Sequence, residues 1–68
     1  MKSKKLTQAE IQELAEFYGW TDIDKVDGYL VLYEDGTVYE EKNGYAAAGP
    51  FFDGVGKEDV EAILNQEA

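Results

Sequence analysis

Two short turn sequences predict most of this chain's fold. Asn43-Gly44 is the strongest short signal for a two-residue β-hairpin loop, because both residues readily adopt positive φ angles. Glu34-Asp35-Gly36 suits a three-residue hairpin loop with its glycine in the left-handed conformation. The turns separate three runs of strand-forming composition, at residues 29–33, 37–41 and 45–48. Two consecutive hairpins therefore predict a three-stranded antiparallel meander.

The length of the first hairpin loop determines which side chains share a face of this sheet. With three loop residues, Tyr33 pairs with Thr37, and side chains alternate between the faces of each strand. One face then carries Leu30, Leu32 and Val38, and the other carries Tyr29, Val31, Tyr33 and Tyr39. A two-residue loop at Asp35-Gly36 would shift the register by one residue and mix the two sets. We favour the three-residue loop, with the aliphatic face against helices and the tyrosines either open or half-buried.

A helix is predicted immediately before these strands. Thr7 and Glu10 form a T-x-x-E capping box, and apolar residues recur at helical spacing from Ile11 onward. Gly19 suits the left-handed position that ends many helices. These features predict a helix over residues 8–18.

A second helix is predicted after the strands, from residue 57 to about residue 66, with Val60, Ile63 and Leu64 as its apolar stripe. The predicted fold class is α+β, with the order α-β-β-β-α and both helices packed on the meander. Sixty-eight residues make at most one domain. We therefore expect a single acidic domain over residues 6–68, preceded by a disordered basic tail at residues 1–5.

The chain is strongly acidic. Fifteen Asp and Glu residues stand against six Lys, with neither Arg nor His, for a formal net charge of −9. Three of the lysines lie in the first five residues, so the fifteen acids and three lysines of residues 6–68 give that part about −12. The aromatic content of 13% favours a packed core over a disordered acidic segment.

Composition also bears on location. The chain has no Cys, whereas secreted domains of this size usually carry disulfides, so a cytoplasmic location is expected. No run approaches the ~20 apolar residues of a membrane span. Because anionic lipid repels an anionic surface, no membrane partner is predicted.

Several chemistries are poorly matched by the residues present. The segment from Asp22 to Gly28 is similar to a calcium loop, but the frame is off and the bidentate glutamate at position 12 is missing. The glycine-rich residues 49–57 lack the G-K-[ST] of a phosphate-binding loop. Without His or Cys, and with Ser3 as the only serine, catalysis has no usual base or nucleophile. We expect no catalytic residue, metal site or cofactor.

The remaining candidates are surface carboxylates and tyrosines. Three glutamates step along the first predicted helix with no lysine partner on that helix. The predicted partner-binding residues are Asp22, Asp24, Asp27, Glu34, Asp35, Glu40, Glu41, Tyr33, Tyr39, Glu10, Glu13 and Glu16. The loop and hairpin acids rank first among these, because loop carboxylates can be held as a cluster at one end of a rigid sheet.

The charge density suggests a class of function. A body of this length has a diameter of about 28 Å, over which B-DNA carries roughly 16 charges. In size, charge, compact α+β order and lack of catalytic groups, the chain resembles small acidic phage-encoded inhibitors, including many anti-CRISPR proteins. This resemblance covers the whole chain, rests on no motif and assigns no role to any residue.

The resemblance implies a non-enzymatic protein that occludes a basic nucleic-acid-binding surface of a partner protein. Direct nucleic-acid binding is not expected, because phosphate contacts need basic residues. The alternative is a small structural or adaptor domain whose acidity serves only solubility.

Overall fold

The computed structural model describes residues 2–46 and 49–66. Four strands form one antiparallel sheet in the order β1-β2-β3-β4, and two α-helices accompany it. The elements are β1 (Ser3–Lys5), α1 (Gln8–Tyr18), a 3₁₀ helix (Ile23–Lys25), β2 (Tyr29–Tyr33), β3 (Val38–Lys42), β4 (Tyr45–Ala46) and α2 (Lys57–Leu64). The α+β class predicted from the sequence is confirmed.

The first strand corrects the prediction of a three-stranded meander and of a disordered tail at residues 1–5. Ser3–Lys5 pairs antiparallel with β2, with Lys4 opposite Leu32. The pairing is extended by hydrogen bonds from the Leu6 N–H to the Leu30 carbonyl and from the Glu34 N–H to the Lys2 carbonyl. Because β2 is a central, apolar strand, its second edge needs backbone partners, and the lysine-rich segment supplies them.

Both hairpins have the predicted loops. Leu32 lies opposite Val38, and the Tyr33 N–H donates to the Thr37 carbonyl at 2.8 Å, which is the register of a three-residue loop. In the second hairpin, Asn43 and Gly44 have φ angles of 56° and 83° and connect Lys42 to Tyr45. The third predicted strand, at residues 45–48, is present as Tyr45–Ala46, and its residues 47–48 lie outside the described part.

The first helix has the predicted bounds. The Thr7 Oγ1 accepts from the Glu10 N–H at 3.2 Å, and the Glu10 carboxylate accepts from the Thr7 N–H at 2.9 Å, so the capping box is complete. At the other end, Gly19 has a φ of 75°, and the N–H groups of Gly19 and Trp20 both donate to the Ala15 carbonyl. The ends of α1 are therefore satisfied by local contacts.

The second helix is shorter than predicted. It ends at Leu64, and residues 65–66 form a turn in which the Gln66 N–H donates to the Ile63 carbonyl. Its first residue follows Gly56, whose N–H donates to the Tyr18 hydroxyl at 2.7 Å. Gly56 has no side chain with which to cap the helix. The start of α2 is instead held by the Tyr18 side chain of α1.

One aliphatic core joins the sheet to the helices. Leu30, Leu32 and Val38 are fully buried, as predicted for the aliphatic face, and they cluster with Leu14 of α1 and with apolar residues of α2. Burying each such side chain contributes about 1.5–3 kcal/mol. In the part of the chain that the structure describes, no helix combines the length and apolar character needed to cross a membrane.

Candidate partner-binding surfaces

The structure divides the predicted carboxylates among several surfaces. Asp22 and Asp27 lie near Glu40, Asp24 lines a pocket with residues of α1, and Glu34 and Asp35 lie at the β2–β3 turn. Between these ends runs the length of β2, which is about 13 Å from Tyr29 to Tyr33. The loop and hairpin acids therefore do not form the single cluster that the sequence suggested.

The 22–27 segment is attached to β3 through two contacts. The Asp27 N–H donates to the Glu40 carboxylate at 2.8 Å, and the Asp27 carboxylate forms an ion pair with Lys42. One carboxylate oxygen of Glu40 therefore accepts a hydrogen bond that holds this loop against β3. Asp22 and Asp24 remain exposed beside Lys25, so this surface carries mixed charge.

The β2–β3 turn carries Glu34 and Asp35 on its exposed side. The Asp35 carboxylate accepts from the Thr37 N–H at 3.0 Å, and hydrogen bonding from Thr37 lowers the pKa of Asp35 below its ordinary value. Gly36 has a φ of 89° and lies against the backbone of Val55. Asp35 therefore shapes the turn, and Glu34 is the acid left free to contact a partner.

The tyrosine face of the sheet lies opposite the helix-packed face, because side chains alternate. Tyr29, Tyr33 and Tyr39 are each half-buried. The Tyr33 and Tyr39 rings meet edge to face at 5.5 Å, and the Tyr33 hydroxyl donates to Glu41 at 2.8 Å, a bond that raises the pKa of Tyr33. The Lys5 ammonium lies 4.4 Å from the Tyr29 ring. This face is aromatic, with one cation and one anion, rather than strongly acidic.

Glu10 is not part of an exposed row of helix carboxylates. It is buried, it completes the capping box, and its Oε2 lies 2.6 Å from the Lys4 Nζ. Burial alone raises the pKa of Glu10, but the hydrogen bonds and charge of Lys4, together with Thr7, outweigh this and lower it. Glu10 therefore has a structural role, and only Glu13 and Glu16 of the predicted row are exposed.

The helices α1 and α2 together carry four exposed carboxylates. Residues of both helices line one groove, and the Tyr18 hydroxyl of α1 donates to Asp59 of α2. α1 contains three glutamates and no basic residue, while α2 contains three acids and Lys57. The exposed carboxylates of this helix layer are Glu13, Glu16, Glu58 and Glu61.

Four residues of this surface were missed by sequence reasoning, and two of them are the exposed acids Glu58 and Glu61 of α2. Phe17 is 75% exposed, and Asp59 is half-buried with its carboxylate accepting from the Tyr18 hydroxyl at 2.8 Å. The position of Phe17 outside the apolar stripe of α1 was a visible signal. The contact between Asp59 and Tyr18 gave no signal in the sequence, because it joins residues far apart in the chain.

Within residues 2–46 and 49–66, no group of three or more Asp and Glu side chains is placed to hold a metal ion. Comparison of the chain with protein-family models, curated proteins and solved structures finds no significant match.

Proposed function

We propose that this protein is a non-enzymatic acidic binding protein that occludes a basic nucleic-acid-binding surface of a partner protein. The observation that carries the proposal is the helix layer of α1 and α2, where four exposed acids accompany Lys57, the single lysine of the two helices. Exposed anions on a firm scaffold can meet the cations that such a partner uses for phosphate groups.

The salt-bridge pattern supports this proposal. Among the described residues, the carboxylates paired with lysine are Glu10 and Asp27. The acids of the helix layer that face solvent have no such pairing, although a purely solvated helix commonly gains a few tenths of a kcal/mol from lysine at i+4. Their charge is therefore available to a cationic partner.

The charge density is consistent with a nucleic-acid mimic. The lysines at residues 2, 4 and 5 lie in or beside β1, so the charge to compare with DNA is the chain's full −9 rather than the −12 expected for residues 6–68. The longest dimension is 26 Å, over which B-DNA carries roughly 15 charges. The protein thus has more than half the linear charge of duplex DNA.

The proposal is tested with the purified protein as bait in a nuclease-treated lysate. We expect a Lys/Arg-rich nucleic-acid-binding protein to be captured, to dissociate steeply with rising salt, and to be displaced by a DNA or RNA duplex. A partner that holds the bait and its nucleic acid at the same time would contradict occlusion.

Two matched variants locate the surface on that purified partner. The double change Glu16→Lys and Glu58→Lys alters the helix layer, and Asp22→Lys with Asp24→Lys makes the same charge change on the 22–27 segment. We expect the first pair to slow association at least about 10-fold and the second to have a smaller effect, because electrostatic steering is strongest at the contact surface. If neither pair changes binding, the acidity serves only solubility.

A further inference from the structure

The groove between α1 and α2 has an apolar floor and an acidic rim. Leu14, Ala62 and Ile63 line it together with Glu10, Glu13 and Asp59, and its volume is about 280 Å³. Leu14 and Ile63 are buried core residues that reach the bottom of the groove. The groove therefore offers a narrow apolar surface with carboxylates on both helices.

Phe17 forms part of the same groove and is largely unprotected from water. Its ring contacts the Tyr18 ring edge to face, with the centroids 4.8 Å apart, but it is still 75% exposed. Burying a phenylalanine side chain contributes about 1.5–3 kcal/mol, so its exposure leaves that stabilisation unused in the free protein. Aromatic residues placed in this way are typical anchors of protein interfaces.

Of the three carboxylates that line the groove, Glu10 is paired with Lys4, and the other two differ in how firmly they are held. Asp59 accepts from the Tyr18 hydroxyl, which itself accepts from the Gly56 N–H, so this carboxylate is fixed in position. Glu13 is exposed and has no basic residue on its own helix. One oriented anion and one adjustable anion therefore flank an aromatic ring.

We infer that this groove receives an arginine side chain of the partner protein, an inference that rests on the proposed function. A guanidinium group can stack on the Phe17 ring and donate two hydrogen bonds to a carboxylate such as Glu13 or Asp59. Its aliphatic stem can lie along Leu14 and Ala62. Lysine fits less well, because its ammonium group is strongly hydrated and cannot make the paired, planar contact.

The test uses N-acetyl-arginine amide as the probe, so it does not depend on identifying the partner. Two-dimensional NMR of the ¹⁵N-labelled protein follows the amide signals of Phe17 and Ala62 during titration. We expect a saturable change with a millimolar dissociation constant for N-acetyl-arginine amide. The dissociation constant of N-acetyl-lysine amide should be at least about 3-fold higher.

Three variants define the contacts. Phe17→Ala and Glu13→Gln should each weaken arginine-amide binding by about 3- to 10-fold, because one removes the ring and the other an anion. Asp53→Asn removes the same charge from an exposed loop position outside both the groove lining and the helix layer and should leave binding unchanged. Unchanged dispersion of the NMR spectra shows that each variant is folded.

The outcomes separate this inference from the proposed function. Equal binding of the two amides, or equal loss in Glu13→Gln and Asp53→Asn, would show non-specific ion pairing and overturn the arginine site. A captured basic partner that binds Phe17→Ala as well as the original protein would overturn it too, while leaving occlusion intact. Specific arginine-amide binding without a basic partner would support the groove and count against the proposed function.

Discussion

The Lys4 ammonium group lies 2.6 Å from the Glu10 carboxylate and ties the first strand to the first helix. Both side chains are largely buried, and the same carboxylate also completes the cap of α1 with Thr7. Lys4 was expected in a disordered tail and Glu10 among the partner-binding glutamates, but the two form one structural contact. Charge-assisted hydrogen bonds of this kind are stronger than neutral ones.

Removal of the Glu10 charge should produce a pH-dependent loss of stability. We expect Glu10→Gln to lower the free energy of unfolding by about 1–2 kcal/mol at pH 7. The folded-state pKa of Glu10 lies below its ordinary value, so its contribution is present above that ordinary value and is lost as the pH falls through the folded pKa. The free energies of unfolding of Glu10→Gln and of the original protein should therefore converge toward pH 3.

Urea unfolding at pH 7, 5 and 3 measures this difference. Glu61→Gln is the control, since Glu61 is exposed and its removal should change little at any of these pH values. A gap between Glu10→Gln and the original protein that is as large at pH 3 as at pH 7 would contradict the assigned charge contact.

Deletion of residues 1–5 should destabilise the sheet. The deletion removes the backbone partners of β2 and the Lys4 ion pair, so we expect a loss of at least about 2 kcal/mol and increased aggregation through the newly exposed strand edge. Replacing Lys2 and Lys5 with Ser is the control, because it removes two charges while keeping β1. Thermal melting measures the loss of stability, and light scattering measures aggregation. If the deletion variant is as stable as the original protein, β1 does not form.

Alanine at two left-handed glycines should have unequal costs. Gly19 and Gly36 both have positive φ angles, but an added Cβ at Gly19 meets nothing within 4 Å, whereas one at Gly36 would lie 2.7 Å from the Val55 carbonyl oxygen. We expect Gly19→Ala to cost about 1 kcal/mol and Gly36→Ala about 3 kcal/mol. Denaturant unfolding that gives equal losses would argue against the close approach of the β2–β3 turn to Val55.

The Tyr18 hydroxyl should contribute more to stability than the Tyr33 hydroxyl. It joins Asp59 and the Gly56 N–H at the start of α2, while the Tyr33 hydroxyl has Glu41 as its partner on the tyrosine face. We expect Tyr18→Phe to cost about 1–2 kcal/mol and Tyr33→Phe less than about 0.5 kcal/mol. Amide exchange of the first turn of α2 should also accelerate in Tyr18→Phe alone.

The parts of the fold determined by the sequence itself are those governed by short-range chemistry. The capping box at Thr7 and Glu10 defines where α1 begins, and Gly19 defines where it ends. Asn43-Gly44 and the loop ending at Gly36 specify the two turns, and alternation from that register places Leu32 and Val38 in the core. Each of these features depends on residues only a few positions apart.

The use of the charged residues was decided by the tertiary structure. Lys4 and Glu40 look like solvated surface residues in the sequence, yet one pairs with Glu10 and the other holds the backbone of Asp27. The groove that brings Phe17 to Asp59 likewise exists only once α1 and α2 pack together. Burial, strand pairing and the contacts that carboxylates make depend on segments distant in the chain. No local periodicity encodes which of these segments meet.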